Sequence, residues 1–163
     1  MKVRLRTACL LLTLAPAFAL AVGKSYMTLV GELMGATESP RMIRDYCSKR
    51  APSSEAENSL LYEGWKTRNR DLLSAVAEQL ARANVRLKKQ GAPGGDSPIE
   101  FMRKVATQQI EQALGNMTSA DVAQYCSGYR QLIEKMDKEA ETSIRQLLSV
   151  VENADQKLTE KNR

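Results

Sequence analysis

The side chains that could do chemistry in this chain are its cysteines, its carboxylates and one polar cluster, because the sequence contains no histidine. Histidine is the commonest general base and the commonest neutral metal ligand, so its absence excludes histidine-dependent triads and zinc sites. Carboxylate pairs such as Glu55 and Glu57 stand two residues apart on predicted helices and therefore face different directions. We predict no catalytic residue, no metal and no cofactor. An enzyme that uses carboxylates alone is a distant alternative.

The cysteines predict one disulfide. Cys9 lies in an N-terminal segment that we expect to be removed, which leaves Cys47 and Cys126 as an even pair in an exported chain. A bond between them would close a loop of about 80 residues and remove on the order of 4.5 kcal/mol of denatured-state entropy. The alternative is a redox-active pair, but the chain has no C-x-x-C motif and the two cysteines are distant in sequence.

The polar cluster consists of Trp65 with Arg68 and Asn69, three and four residues further on. These two polar residues interrupt an apolar helical stripe, so their hydrogen-bonding groups must find partners if they are buried. One interpretation is a polar core in which they bond carbonyl groups at the end of a neighbouring helix. The other is a site for a ligand or a partner.

The elements that position these residues are helices. A stripe with a 3.6-residue period runs from Leu61 to Leu87, and Ser54 with Glu57 forms a capping-box pattern that predicts a helix start near Glu55. A second helix is predicted from Pro98 to Leu114 after a glycine-rich linker. A third is predicted from Ser119, with an apolar stripe that reaches Ala154, and its final turns, from Glu152 to Arg163, should fray.

Two shorter helices are expected before these, one from Lys24 that Gly35 ends and one that begins at Pro40. The predicted fold class is therefore all-α: an up-down helical bundle of three main helices plus one or two short N-terminal helices. The disulfide between Cys47 and Cys126 would bond the helix that begins at Pro40 to the base of this bundle.

Helix lengths predict an apolar groove. The helix from Pro98 to Leu114 spans only about 25 Å, whereas its two neighbours reach roughly 50 Å, so it cannot cover both. The apolar residues beyond its reach are Leu80, Ala83, Leu87, Ile144, Leu147, Leu148 and Val151. We expect the segment from Tyr26 to Met34 to cover them, ahead of a homodimer or a helical partner.

The N-terminus has the pattern of a signal peptide over residues 1–21, followed by a single helical domain over residues 22–163. Three basic residues precede an apolar run from Ala8 to Leu14, with possible cleavage after Ala19 or Ala21. The run is shorter than the ~20 residues that span a membrane, so we expect no stable insertion after cleavage. Removing the segment lowers the net charge from +5 to +2, which argues against a nucleic-acid partner.

One set of residues carries a resemblance: Cys47, Pro52, Trp65, Arg68, Asn69 and Cys126. This spacing resembles a pattern in uncharacterised small exported helical proteins of proteobacteria, over roughly residues 40–130. The resemblance implies export and a helical fold tied by a disulfide, and it implies no activity.

The function that follows is a periplasmic or secreted binding or interaction protein, with an unknown protein or peptide as partner. The alternative is a structural or stress-related envelope protein without a specific ligand.

Overall fold

The computed structural model describes residues 24–160, and every element of regular structure in that range is a helix. The helices are α1 (Tyr26–Arg50), α2 (Glu55–Arg68), α3 (Arg70–Lys89), α4 (Pro98–Leu114), α5 (Ser119–Ser127), α6 (Tyr129–Glu139) and α7 (Arg145–Glu160). A 3₁₀ turn, Pro52–Ser54, follows α1, and a π-helical segment, Ala140–Ile144, joins α6 to α7. The all-α prediction is confirmed, and so is the Cys47–Cys126 disulfide.

Helix α1 is continuous for 25 residues, so the prediction of two short N-terminal helices is wrong: Gly35 does not end a helix and Pro40 does not begin one. A proline inside a helix removes one backbone hydrogen bond and costs about 3 kcal/mol. The helix continues because both flanks bury apolar side chains, including Leu33 before the proline and Cys47 after it. The Pro40 carbonyl also accepts a hydrogen bond from the Tyr129 hydroxyl at 2.9 Å.

The two predicted long helices are each interrupted. Asn69 separates α2 from α3, and its side-chain amide donates to the Trp65 carbonyl at 3.0 Å, which competes with regular helix geometry. Gly128 separates α5 from α6, where its N–H bonds the Tyr125 carbonyl three residues back and tightens the turn. The bundle is therefore built from one long helix, α1, and six shorter ones across the described range.

The helix starts at Glu55, Pro98 and Ser119 agree with the sequence, but the expected Ser54 cap does not form. The Ser54 hydroxyl donates to the Ala51 carbonyl instead of capping α2. At the start of α4 the Ile99 N–H donates to Asn84 Oδ1 of α3 at 3.1 Å. Thr118 does cap α5, in a reciprocal capping box with Asp121.

Three groups of buried side chains hold the helices together, and α1 contributes to two of them. The α3–α7 core joins the N-terminal part of α1 to α3, Ile99 and α7; the disulfide core surrounds Cys47 and Cys126; the tryptophan core contains Trp65, Tyr129 and Ile133. Helix α1 contacts every other helix of the described chain. It is the element around which the molecule is organised.

The C-terminal helix α7 continues to Glu160 and is anchored to the N-terminal helix α1, while the expected fraying from about residue 152 stays a prediction. Asp155 accepts a hydrogen bond from the Tyr26 hydroxyl at 3.1 Å and is ion-paired with Arg86. Burial and the neighbouring Asp155 charge raise the pKa of Tyr26. The predicted signal peptide, residues 1–21, lies outside the described residues. None of the helices in residues 24–160 is long and apolar enough to cross a membrane.

Candidate binding groove

The disulfide is a buried cross-link. Cys47 and Cys126 are both 0% exposed, their Cα atoms are 5.6 Å apart, and they are separated by 79 positions in the chain. The Tyr46 and Tyr125 rings meet edge to face beside them, with centroids 6.5 Å apart. Solvent does not reach the sulfur atoms, which fits a structural bond better than a redox-active one.

The polar cluster forms the joint between two helices. Asn69 Nδ2 donates to Asp137 Oδ1 at 3.2 Å as well as to the Trp65 carbonyl, and Arg68 Nη2 donates to Asp137 Oδ2 at 2.5 Å. Trp65 is buried, Asn69 is half-buried, and the Arg68 side chain is 56% exposed. The structure thus brings Arg68 and Asn69 together on Asp137, a residue that the sequence interpretation did not single out, while Trp65 takes part through its backbone carbonyl.

The predicted apolar groove is filled. Leu80, Ala83, Leu87, Ile144, Leu148 and Val151 are buried in the α3–α7 core, and Leu147 is partly buried against it. Tyr26, Leu29, Val30, Leu33 and Met34 of α1 occupy the same core. This surface is therefore covered within the chain by the segment from Tyr26 to Met34, and a homodimer or a helical partner stays a prediction.

A different groove is open to solvent, and we call it the α2–α4 groove. It has a volume of about 800 Å³ and lies between α2 with α3 on one wall and the start of α4 on the other, with α1 beside them. From α1 and α2 it is lined by Thr37, Glu38, Arg41, Tyr62, Glu63, Trp65, Lys66 and Thr67. From α3, α4 and the residue before α4 it is lined by Arg70, Leu73, Ser74, Val76, Ala77, Leu80, Ala81, Asn84, Ser97, Ile99, Glu100 and Arg103.

Ion pairs join two walls of the groove. Glu38 Oε1 accepts from Arg103 Nε at 2.8 Å, and its Oε2 accepts from Arg41 Nη2 at 2.7 Å. Burial alone would raise the pKa of Glu38, but the hydrogen bonds from Arg103 and Arg41 outweigh it, and the pKa lies below its ordinary value. Arg103 also pairs with Glu100, so this network docks α4 on α1.

The remaining charges leave one cation unmatched. Lys66 pairs with Glu63 at 2.8 Å. Arg70 lines the groove, and within residues 24–160 it has no carboxylate partner. An exposed guanidinium without a partner is a ready donor for a carboxylate or phosphate group.

The aromatic side chains lie at the same end as these cations. The Trp65 and Tyr62 rings stack with centroids 6.1 Å apart, and the Arg44 guanidinium lies 4.4 Å from the centroid of Tyr62. Trp65 is 1% exposed, and its indole N–H has no acceptor among the described residues. Buried indole N–H groups usually have a partner, so this one is an exception among the buried polar groups of the described chain.

The sequence interpretation found Trp65 but missed Glu38, Arg70 and Arg103. A signal for the groove was present, because Ser74, Ala77 and Ala81 follow Arg70 at helical spacing on exposed positions where charged residues are usual. No group of three potential metal ligands occurs in the described part of the chain. Comparison of the whole chain with known protein families, with curated proteins and with solved structures finds no match, so the groove itself carries the functional argument.

Proposed function

We propose that this protein is an exported helical binding protein that holds its ligand in the α2–α4 groove. The observation that carries the proposal is an open groove of about 800 Å³ in which buried apolar side chains lie beside charged ones. This volume falls within the range of small-molecule sites, which combine an apolar lining with a few polar groups. A purely structural protein has no need to leave such a groove open.

Export to the periplasm or secretion is part of the proposal. Two features support it: the signal-peptide pattern in residues 1–21 and the Cys47–Cys126 disulfide, a bond that persists in oxidising compartments. Osmotic-shock release of the protein, with a mature N-terminus at Leu20 or Val22, is the expected outcome. Retention of Met1 in a cytoplasmic fraction would contradict it.

The groove is tested by filling it. We expect native mass spectrometry of the protein purified from the envelope to show a bound mass that is lost on denaturation. The Ala77→Phe variant places a large ring on an exposed groove position and should lose this mass. The matched control is Ala123→Phe, on an exposed position of α5 outside the groove.

The control should keep the bound mass and the wild-type circular dichroism spectrum. A wild-type protein without a bound mass, or two variants that behave alike, would reject the groove as a ligand site.

A further inference from the structure

We propose that the end of α3, at Lys88 and Lys89, is a proteolytic processing site. Cleavage there by a protease with trypsin-like specificity gives a two-chain protein whose parts stay joined by the Cys47–Cys126 disulfide. The proposal does not depend on a ligand in the α2–α4 groove. Three features support it: the exposure of one connection, the lysines at its start and the position of the disulfide.

The connection between α3 and α4, residues 90–97, is the longest non-helical segment within residues 24–160. None of its residues is buried, and the Asp96 side chain is 95% exposed. Its backbone hydrogen bonds are local, as in Gly91 N–H to the Lys88 carbonyl at 3.1 Å and Ser97 N–H to the Gly94 carbonyl at 3.1 Å. A segment with local bonds and no buried side chain opens easily, which is what a protease needs in order to bind it.

Lys88 and Lys89 end α3 and lie directly before this segment, and both are exposed. A lysine side chain is what the acidic specificity pocket of a trypsin-like protease recognises. Lys88 is ion-paired with Asp96 across the connection, but both side chains are more than half exposed, so solvent screens the pair. The Lys89–Gln90 peptide bond therefore combines a recognised residue with an accessible backbone.

The other two adjacent basic pairs in the described chain are protected. The pair Arg103–Lys104 lies inside α4, where the backbone is hydrogen-bonded on both sides. The pair Lys49–Arg50 ends α1, but the next residue, Ala51, is buried and its N–H donates to the Cys47 carbonyl at 2.7 Å. Accessible backbone thus follows Lys88–Lys89 and neither of the other two pairs.

The disulfide lies across the cut, because Cys47 precedes the connection and Cys126 follows it. Each of the three cores also contains side chains from both parts of the chain, such as Leu87 and Val151 in the α3–α7 core. The two parts therefore remain bonded and packed. Hydrolysis adds one water molecule: the peptide bond breaks, the lysine carbonyl gains the hydroxyl and the following nitrogen gains the hydrogen.

Helix α4 is the element that the cut would release. Its buried residues, Pro98 and Ile99, lie in its first turn, close to the connection. After the cut this end is held by the bond from the Ile99 N–H to Asn84 and by the ion pair between Arg103 and Glu38. Helices α3 and α4 line opposite walls of the α2–α4 groove, so the cut lets one wall move relative to the other.

The first test is limited digestion of the folded full chain with trypsin, followed by intact mass. Without reduction, we expect the first product to be a single species that is heavier by one water molecule. Reduction should separate it into two chains, the first ending at Lys88 or Lys89. The product should keep the helical circular dichroism spectrum. A first cut at any other bond, or a product that unfolds, would overturn the proposal.

The variant Lys88→Gln with Lys89→Gln should slow the first cut about tenfold or more, because a neutral amide does not satisfy an acidic pocket. The matched control, Lys49→Gln with Arg50→Gln, removes the basic pair at the end of α1 and should leave the rate unchanged. Both variants should keep the wild-type circular dichroism spectrum. Equal effects of the two variants on the rate would contradict the assignment of the site.

Hydrogen exchange followed by mass spectrometry measures the release of α4. Its amides should exchange faster in the cut protein than in the uncut protein, whereas those of α7 should not change. Equal exchange of α4 in the two forms would remove the role given to this helix.

Processing in the cell is read from the protein isolated from the cells that produce it. It should contain the two-chain form, with the same ends as the trypsin product. Protein that is wholly uncut there would show that the connection is exposed without being a processing site.

Discussion

The Asn69 side chain is hydrogen-bonded to two helices. Its amide bonds the Trp65 carbonyl at 3.0 Å in its own helix and Asp137 at 3.2 Å in α6. The neighbouring Arg68 bonds the same carboxylate, but its side chain is largely exposed, so solvent screens that ion pair. The two residues therefore contribute unequally although they share a partner.

Substitution of each residue tests this difference. Asn69→Ala should lower the free energy of unfolding by about 1–3 kcal/mol, because it leaves a half-buried carboxylate oxygen without a donor. Arg68→Ala is the matched control and should lower it by less than about 1 kcal/mol. Urea denaturation of both variants measures the two values, and equal effects would mean that Asn69 is not the residue that holds the joint.

Glu38 should make stability depend on pH. Its pKa is lowered in the folded protein, so its contribution is present above its ordinary pKa of about 4.5 and is lost as the pH falls through the folded value. Glu38→Gln should therefore cost about 1–3 kcal/mol at pH 7 and progressively less below about pH 4.5. Urea denaturation between pH 7 and pH 3 measures both curves.

Glu57→Gln serves as the control, because Glu57 is exposed and forms only a surface ion pair with Arg130. It should cost less than about 1 kcal/mol. A gap between wild type and Glu38→Gln that stays constant down to pH 3 would show that the Glu38 carboxylate is not the stabilising group.

At the scale of elements, the sequence predicts helix starts well and helix interruptions poorly. Pro98 and Thr118 act locally, at or next to the helix that they begin, so their pattern can be read without the fold. The interruption at Asn69 is different, because Asp137 lies 68 positions away. Continuity of α1 through Pro40 likewise depends on what the flanking turns bury, which no local pattern records.

The candidate site illustrates the same limit. Arg70 and Ala77 lie on one helical stripe that was visible in the sequence, whereas Glu38 and Arg103 are 65 positions apart and meet only because α4 docks on α1. Cys47 and Cys126 could be paired from the sequence because they are the two cysteines outside the expected signal peptide. No knowledge of the fold was needed for that pairing. The residues that the sequence assigned to an apolar groove are core residues, because the segment from Tyr26 to Met34 packs against them.

The disulfide ties α1 to α5 and should stabilise the fold strongly. Closing a loop across 79 positions corresponds to about 4.5 kcal/mol in the chain-entropy model. Cys47→Ala with Cys126→Ala should lower the free energy of unfolding by about 2–5 kcal/mol, measured by urea denaturation.

Mass spectrometry should find the unreduced mature chain two mass units lighter than the reduced chain. Two free thiols in periplasmic protein, or a double variant as stable as the wild type, would contradict this role.

At the scale of the whole molecule, the cores meet near Pro40 and near two helix interruptions. In α1, Pro40 lies between Met34 of the α3–α7 core and Tyr46 of the disulfide core. Asn69 lies between Trp65 of the tryptophan core and Leu72 of the α3–α7 core, and the π-helical segment follows the tryptophan core and ends at Ile144 of the α3–α7 core. Within the described chain, α1 is the helix that runs unbroken from the α3–α7 core to the disulfide core. The stability of both cores therefore depends on α1.

Deletion of residues 22–36 tests this dependence. The deletion removes Leu29, Val30, Leu33 and Met34 from the α3–α7 core, and replacing even one such side chain by alanine costs about 2–5 kcal/mol. The shortened chain should lose cooperative thermal unfolding by circular dichroism and bind apolar dyes. Met27→Ala, on a largely exposed position of the same helix, should unfold like the wild type.

A shortened chain that remains monomeric and melts at the wild-type temperature would show that α1 does not organise the fold.

The contact between α1 and α7 has a consequence for how the chain is made. Tyr26 and Asp155 are 129 positions apart, so at 5–20 residues per second the ribosome completes the second about 6–26 s after the first. Hydrophobic collapse takes microseconds, and helices form faster still. The apolar face of α1 is therefore made many seconds before its last neighbour, and it stays accessible to holdase chaperones and to proteases at least until α7 has been synthesised.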